Sequence, residues 1–144
     1  MLIVDTNVIS ELMRPAPTGS VAQWFEQQPL EQLAITAVTV GEILYGLDLL
    51  PGGQRKVDLA SRFATVLQRA FSGYVLPFDD AAAAVYARIR GDRNRAGKPI
   101  SINDAMIAAI ARTQSGAVVT RNVADFENCG LDIINPWTVS GGQG

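Results

Sequence analysis

Apolar and polar positions along the chain follow two periods. Compact apolar runs lie at Leu2–Asp5, Leu33–Thr36, Tyr74–Pro77, Ala117–Thr120 and Asp132–Ile134. Between them, apolar residues recur at helical spacing over Val8–Met13, Ser20–Gln28, Thr39–Leu50, Gln54–Phe71, Asp80–Arg95 and Asn103–Thr113. The first pattern predicts short buried strands and the second predicts helices. Pro51-Gly52-Gly53 separates two helices, and Gly73, Gly97-Lys98-Pro99 and Gly116 mark other element ends. Alternating strands and helices predict an α/β domain with a mostly parallel central sheet. No repeat or internal linker interrupts it, so residues 1–139 read as one domain and Ser140–Gly144 as a loose tail.

One strand ends oddly. Leu2-Ile3-Val4 runs straight into Asp5, followed by Thr6 and Asn7. Aspartate is depleted in strands and costly to bury unpaired. A surface helix cap is the plain explanation. A site is the other, because ligands of parallel sheets bind beyond the carboxyl ends of the strands.

Three more acidic positions bear on that choice. Glu42 stands three residues after Thr39, the spacing of a capping box, in a first helical turn whose dipole favours a carboxylate. Its helix, apolar on nearly every face, is expected to be buried. Asp104 stands three residues after Ser101, a candidate N-cap, and shares a face with Ile107 and Ala111. After the strand ending at Thr120 come Arg121, Asn122 and Asp125, where Asp125 has an ordinary reading as the cap of a short turn. Each position alone has a structural explanation. Jointly, all of them belong at one edge of a parallel sheet.

Composition narrows the chemistry available there. The 144 residues include no histidine and one cysteine, Cys129. That excludes histidine bases, Ser-His triads, an internal disulfide and multi-cysteine zinc sites. No apolar run spans a bilayer and no basic segment opens the chain, so a soluble, cytoplasmic protein is expected. Carboxylates gathered at one edge repel, at about 4 kcal/mol for two charges ~4 Å apart in a medium of effective dielectric 20. A cation must compensate, and oxygen-only donors select Mg²⁺ or Mn²⁺ over Zn²⁺. Such an ion activates water and commonly completes its shell with phosphate oxygens, which points to phosphodiester hydrolysis.

The motifs VDTNVISEL, ITAVTVGEILYGL, VLPFDDAAAAVYARIR, GKPISINDAMIAAIA, TRNVADF and NPW resemble the PIN-domain ribonucleases of the VapC type, the toxin half of bacterial toxin–antitoxin pairs, and within them the FitB-like branch. The resemblance runs nearly end to end. It implies an α/β/α three-layer sandwich, Mg²⁺ or Mn²⁺ dependence and endonucleolytic RNA cleavage by a metal-activated water. It places the catalytic acids at Asp5, Glu42 and Asp104, the metal ligands at Asp5 and Asp104, and orienting roles at Thr6 and Asn7. It adds Thr120 as a supporting residue ahead of the fourth catalytic position, where some relatives carry Asp and this chain has Asn122, with Asp125 nearby to supply charge. FitB-like relatives form homodimers and bind a small DNA-binding antitoxin, which makes a homodimer, or a higher assembly with such a partner, the expected state.

Charge is uneven although the net charge is only −2. Arg88, Arg90, Arg93, Arg95 and Lys98 supply five of the twelve basic residues within RIRGDRNRAGK, against the single acid Asp92. The stretch reads either as a solvated helix end or as an RNA-binding strip, with Arg88, Arg93, Arg95 and Lys98 as candidates. Trp24, Phe25, Phe63, Val66, Leu67 and Phe71 read as core or as a groove for a partner helix, and Trp137 as a plug behind the last strand. Two other functions stay open: another Mg²⁺-dependent phosphoryl-transfer protein, and a non-catalytic PIN module acting through its DNA-binding antitoxin complex. Asp5-Thr6-Asn7 lacks the second Asp of a D-x-D phosphatase, and no lysine follows Lys98 as a receiver domain would want.

Overall fold

The computed structural model describes residues 1–72 and 75–139. The strands are β1 (Leu2–Val4), β2 (Leu33–Thr36), β3 (Val75–Leu76), β4 (Ala117–Val119) and β5 (Ile133–Ile134). All pairings are parallel, in the order β3-β2-β1-β4-β5. The helices are α1 (Thr6–Leu12), α2 (Gly19–Glu26), α3 (Ala37–Asp48), α4 (Gln54–Ala70), α5 (Asp80–Arg95), α6 (Ile102–Thr113) and α7 (Val123–Phe126). A single 3₁₀ turn, Leu30–Gln32, precedes β2. The expected α/β/α sandwich is therefore present, and its sheet is wholly parallel. The expected start of β3 at Tyr74 and the tail Ser140–Gly144 lie outside the described residues.

Alternation along the strands builds the two outer layers. Ile3, Ala34 and Val118 point to one face, where they pack with Ala82 and Ile89 of α5 and Ile107 and Ile110 of α6. Val4, Ile35 and Val119 point to the other, against Val8, Trp24, Ile43 and Phe63 of α1 to α4. A shift of one residue in register would exchange the two sets, so burial on both faces pins the pairing of Ile3 with Ala34 and Val118. Trp24, Phe63 and Phe71 are buried, and Phe25, Val66 and Leu67 pack against them, so these residues are core.

The chain runs outward from β1 to β2 and β3, then returns to place β4 on the other side of β1. That reversal makes the carboxyl ends of β1 and β4 the topological switch point of the sheet, where open α/β sheets form a crevice. Asp5 and Thr120 are the first residues beyond those two strand ends.

Two helix starts differ from expectation. Helix α3 is capped by Thr36, whose hydroxyl accepts from the Thr39 N–H at 3.0 Å. Thr39–Glu42 is therefore not a capping box, and Glu42 lies in the second turn, away from the orphan N–H groups. The same helix is not buried all round: Leu44, Tyr45 and Leu49 are more than half exposed. Asn122 is the residue before α7, so Asp125 sits inside that helix and does not cap it.

Candidate active site

Asp5 is both a helix cap and a buried acid. Its carboxylate accepts from the Thr6 N–H at 2.8 Å, which caps α1, yet the residue is only 4% exposed. The other oxygen, Oδ2, accepts from Asn7 Nδ2 at 3.0 Å and from the Thr120 hydroxyl at 2.8 Å. Thr120 Oγ1 in turn accepts from Asn7 Nδ2 at 3.1 Å and from the Asn122 N–H at 3.0 Å. Asn7 Oδ1 accepts the Arg121 N–H at 3.1 Å. This network joins the end of β1 to the end of β4 and holds one carboxylate in a fixed orientation. Thr6 and Thr120, expected as supporting residues, belong to it along with Asn7.

A second network holds Glu42. Thr6 Oγ1 lies 3.1 Å from Glu42 Oε1 and 3.3 Å from Thr39 Oγ1. Thr39 Oγ1 is also 3.3 Å from the Thr36 hydroxyl that caps the helix. Thr36 and Thr39 were not foreseen in this role. Their signal was a T-x-x-T spacing beside the better-known T-x-x-E spacing.

The electrostatics show which acids share a field. Burial pushes the Asp5 carboxyl up to about 6, opposed by the Thr120 and Thr6 hydrogen bonds and reinforced by the charges of Asp104 and Glu42. Asp104, half-buried in the first turn of α6, is also raised, first by burial and then by Asp125; the Ser101 hydroxyl and the Arg93 guanidinium act against this. Ser101 caps α6 as expected, accepting the Asp104 N–H at 3.2 Å. Asp104 thus acts on the charge of Asp5, and Asp125 acts on the charge of Asp104. The fold brings together Asp5, Glu42 and Asp104, with exposed Asn122 and Asp125 at the rim.

The donor set accords with a hydrated hard cation. Among the described residues, no three His, Cys, Asp or Glu side chains close into a ready-made metal cage. Mg²⁺ does not need one, because it keeps several waters and binds through one or two carboxylates. An acid pushed up to about 6 by burial and by neighbouring acids marks negative charge that nearby protein cations leave uncompensated. The acids that share its field, Asp104 and Glu42, offer carboxylate oxygens.

The basic stretch divides. Arg93 is buried and donates from Nε to the Lys98 carbonyl at 2.6 Å, and from one terminal nitrogen to the carbonyls of Asp125 at 3.0 Å and Glu127 at 2.8 Å. It is therefore a clamp inside the fold and is removed from the expected RNA-binding strip. Its backbone takes part too: α5 ends at Arg95 with Ala96 as its cap, and the φ of 71° at Gly97 lets the Lys98 N–H reach back to the Arg93 carbonyl at 2.9 Å. Arg88, Arg95 and Lys98 are exposed, and Arg95 pairs with Asp92 at 2.7 Å. Arg93 could have been found by its spacing, since Ala82, Ile89 and Arg93 form one buried face of α5.

Comparison with known proteins agrees with this geometry. The PIN domain family matches residues 2–129. The chain belongs to the PIN-domain family. It is 41% identical over 137 residues to the VapC ribonuclease Y4jK of Sinorhizobium fredii, covering 95% of this chain and 98% of the relative. It is 39% identical over 137 residues to Toxin FitB of Neisseria gonorrhoeae, with 95% and 99% coverage. Among solved structures, FitAB bound to an IR36 DNA fragment superposes with a TM-score of 0.90 at 38% identity, covering 97% of this chain and 98% of that one. The switch-point site of this PIN domain is thus carried on a fold shared nearly end to end with these proteins. Among its described residues no helix is long and apolar enough to cross a membrane.

Proposed function

We propose that this PIN domain is a cytoplasmic endoribonuclease, the toxin component of a type II toxin–antitoxin pair, and that it uses Mg²⁺ or Mn²⁺ held by Asp5 and Asp104. One observation carries the assignment. Asp5 is buried at the switch point of the sheet, with its carboxyl raised to about 6 by burial and by two further acids, Asp104 and Glu42. The names of its relatives, a VapC ribonuclease and a toxin, support the same reading.

The side chains have separable roles. Asp5 and Asp104 would hold the ion. When bound, the ion supplies positive charge that stabilises phosphoryl oxygens and makes water a better nucleophile. Thr120 and Asn7 hold the Asp5 carboxylate in one rotamer through Oδ2. Thr6 holds Glu42, and Glu42 takes the proton from the attacking water. Asn122 and Asp125 complete the acidic edge, Asn122 through its amide oxygen and Asp125 through its charge on Asp104. Exposed Arg88, Arg95 and Lys98 offset the approach of a polyanion to this edge.

An antitoxin would control the site from the adjoining surface. A groove of about 350 Å³ between α1, α3 and α4 runs from Thr6 and Glu42 along Ile43, Leu47 and Leu59, beside Arg14 and Arg55. A partner helix laid there covers Glu42 and Thr6 together. The exposed apolar residues Leu44, Tyr45, Leu49 and Val57 supply surface for the expected homodimer.

The test is cleavage of a labelled RNA by the purified chain with Mg²⁺, with EDTA, and with Asp5→Asn and Asp104→Asn. Metal-dependent cleavage that both substitutions abolish is the expected result. Undiminished cleavage by both variants contradicts the assignment.

A further inference from the structure

Arg121 is an arginine at the rim of the site that none of the roles above uses. It is exposed, and among the described residues no carboxylate pairs with it. Its position is nonetheless fixed at both ends. The backbone N–H donates to Asn7 Oδ1 at 3.1 Å, and the same Asn7 side chain holds Asp5. The guanidinium carbon lies 5.0 Å from the centre of the Trp137 ring. Trp137 is itself set in place: its backbone N–H donates to Asn135 Oδ1 at 2.9 Å, and its side chain packs half-buried against the core. The ring is thus a core plug, as expected, and also a platform for a cation.

This arrangement has a chemical consequence. A guanidinium against a ring is attracted by the ring's negative face and gives up rotamer freedom before any ligand arrives. The residue remains exposed, and a guanidinium carries a planar face and a fork of N–H donors. Those are the features that stack on an unpaired nucleobase and bind phosphate oxygens in a fork. An acidic site repels a polyanion, and a fixed cation beside it offsets that repulsion where the strand must pass.

We propose that Arg121, oriented by Trp137, is a contact residue for single-stranded RNA at the mouth of the acidic site. The proposal rests on the ribonuclease reading. Its geometry comes from the contact of Arg121 with Trp137, beyond the end of β5. A Lys in its place would keep the charge but lose the planar stack.

The experiment measures binding of a fluorescein-labelled, mixed-sequence RNA 12-mer to the full chain. Anisotropy is followed in EDTA, where cleavage is off, across a series of NaCl concentrations. Arg121→Ala is expected to weaken binding roughly tenfold and to flatten log K against log salt by about 0.7, the value for one phosphate contact on a single strand. Arg121→Lys should keep the wild-type salt slope while losing part of the affinity. Trp137→Phe, which keeps a ring, should bind more tightly than Trp137→Ala. Thermal melting identifies any variant that fails to fold, and Arg121→Lys then decides. Wild-type binding that Arg121→Ala and Arg121→Lys both leave unchanged in affinity and slope overturns the proposal alone. Absence of RNA binding in EDTA by a chain that cleaves the same RNA in Mg²⁺ also overturns the proposal alone, whereas failure to cleave that RNA in Mg²⁺ overturns the ribonuclease reading, and the proposal with it.

Discussion

At the tips of β1 and β4 the functional groups are tied by side-chain hydrogen bonds, whereas at α6 and α7 they depend on a cap and on one buried guanidinium. Asp5 Oδ2 accepts from Asn7 and Thr120, and Thr120 accepts from the backbone of Asn122. The strand side is thus oriented by neutral partners that add no positive charge. On the helix side, Arg93 gathers the carbonyls of Lys98, Asp125 and Glu127 and also lowers the repulsion felt by Asp104. The difference teaches a division of labour. The strand side keeps its acid rigid but electrostatically uncompensated, ready for a cation. The helix side is held in shape by a permanent cation of its own, set among carbonyl oxygens.

The largest test of this contrast is Arg93→Met. It leaves the part-buried carbonyls of Lys98, Asp125 and Glu127 without that donor, at about 1 kcal/mol for each hydrogen bond lost. A net destabilisation of about 3 kcal/mol in urea unfolding is expected, and Arg93→Lys should recover little because it lacks the fork. A loss below about 0.5 kcal/mol would remove the clamp from the comparison.

Next in size is a pH effect on the strand side. The folded Asp5 carboxyl is raised from 3.8 to about 6, so the folded chain holds that proton more tightly than the unfolded chain does. Its contribution is complete below about pH 4 and is lost as the pH climbs through about 6. In EDTA, urea unfolding should show about 2–3 kcal/mol less stability at pH 7 than this group allows at pH 4, because each tenfold difference in proton affinity between the folded and unfolded chain is worth about 1.36 kcal/mol. Asp5→Asn should flatten that part of the profile. Glu11 acts in the opposite sense: the Thr18 hydroxyl and N–H, and then Arg14, hold it below its usual value, so its stabilisation disappears as acid is added. A profile for Asp5→Asn that still matches the wild type would contradict the buried, uncompensated acid.

Two smaller effects sharpen the comparison. Thr120→Val removes the hydroxyl that donates to Asp5 while keeping the shape, and should weaken Mn²⁺ binding by calorimetry roughly 10–100-fold, as loss of a partner to a metal ligand usually does. Arg95→Ala breaks only an exposed pair with Asp92 and should change unfolding stability by less than about 0.5 kcal/mol. A larger loss would show the outer half of the basic stretch to be structural as well.

Much of this was legible along the chain because burial on both sheet faces imposes a clear period. Ile3 and Val4, or Ala34 and Ile35, divide between the two layers by alternation alone. The acids at Asp5, Glu42 and Asp104 were visible through the strand and helix ends they occupy. What escaped was decided by tertiary contact. Whether Thr36 or Thr39 caps α3 depends on where β2 stops, and β2 runs through Thr36 with no loop before the helix. Arg93 shares the buried face of α5 with Ala82 and Ile89, so its burial was legible from spacing, but its partners, the carbonyls of Asp125 and Glu127, are brought to it only by tertiary folding. The apolar surface of α3 does not reveal that Leu44, Tyr45 and Leu49 face outward, because composition cannot say which apolar face the core takes.

The most direct measurement is anomalous diffraction from a crystal of the chain soaked in Mn²⁺. A manganese peak should appear between the Asp5 and Asp104 carboxylates, ligated by one and reached by the other directly or through one water, and it should vanish in Asp5→Asn. A saturating soak with no peak there, or a peak that survives Asp5→Asn unchanged, would contradict the account.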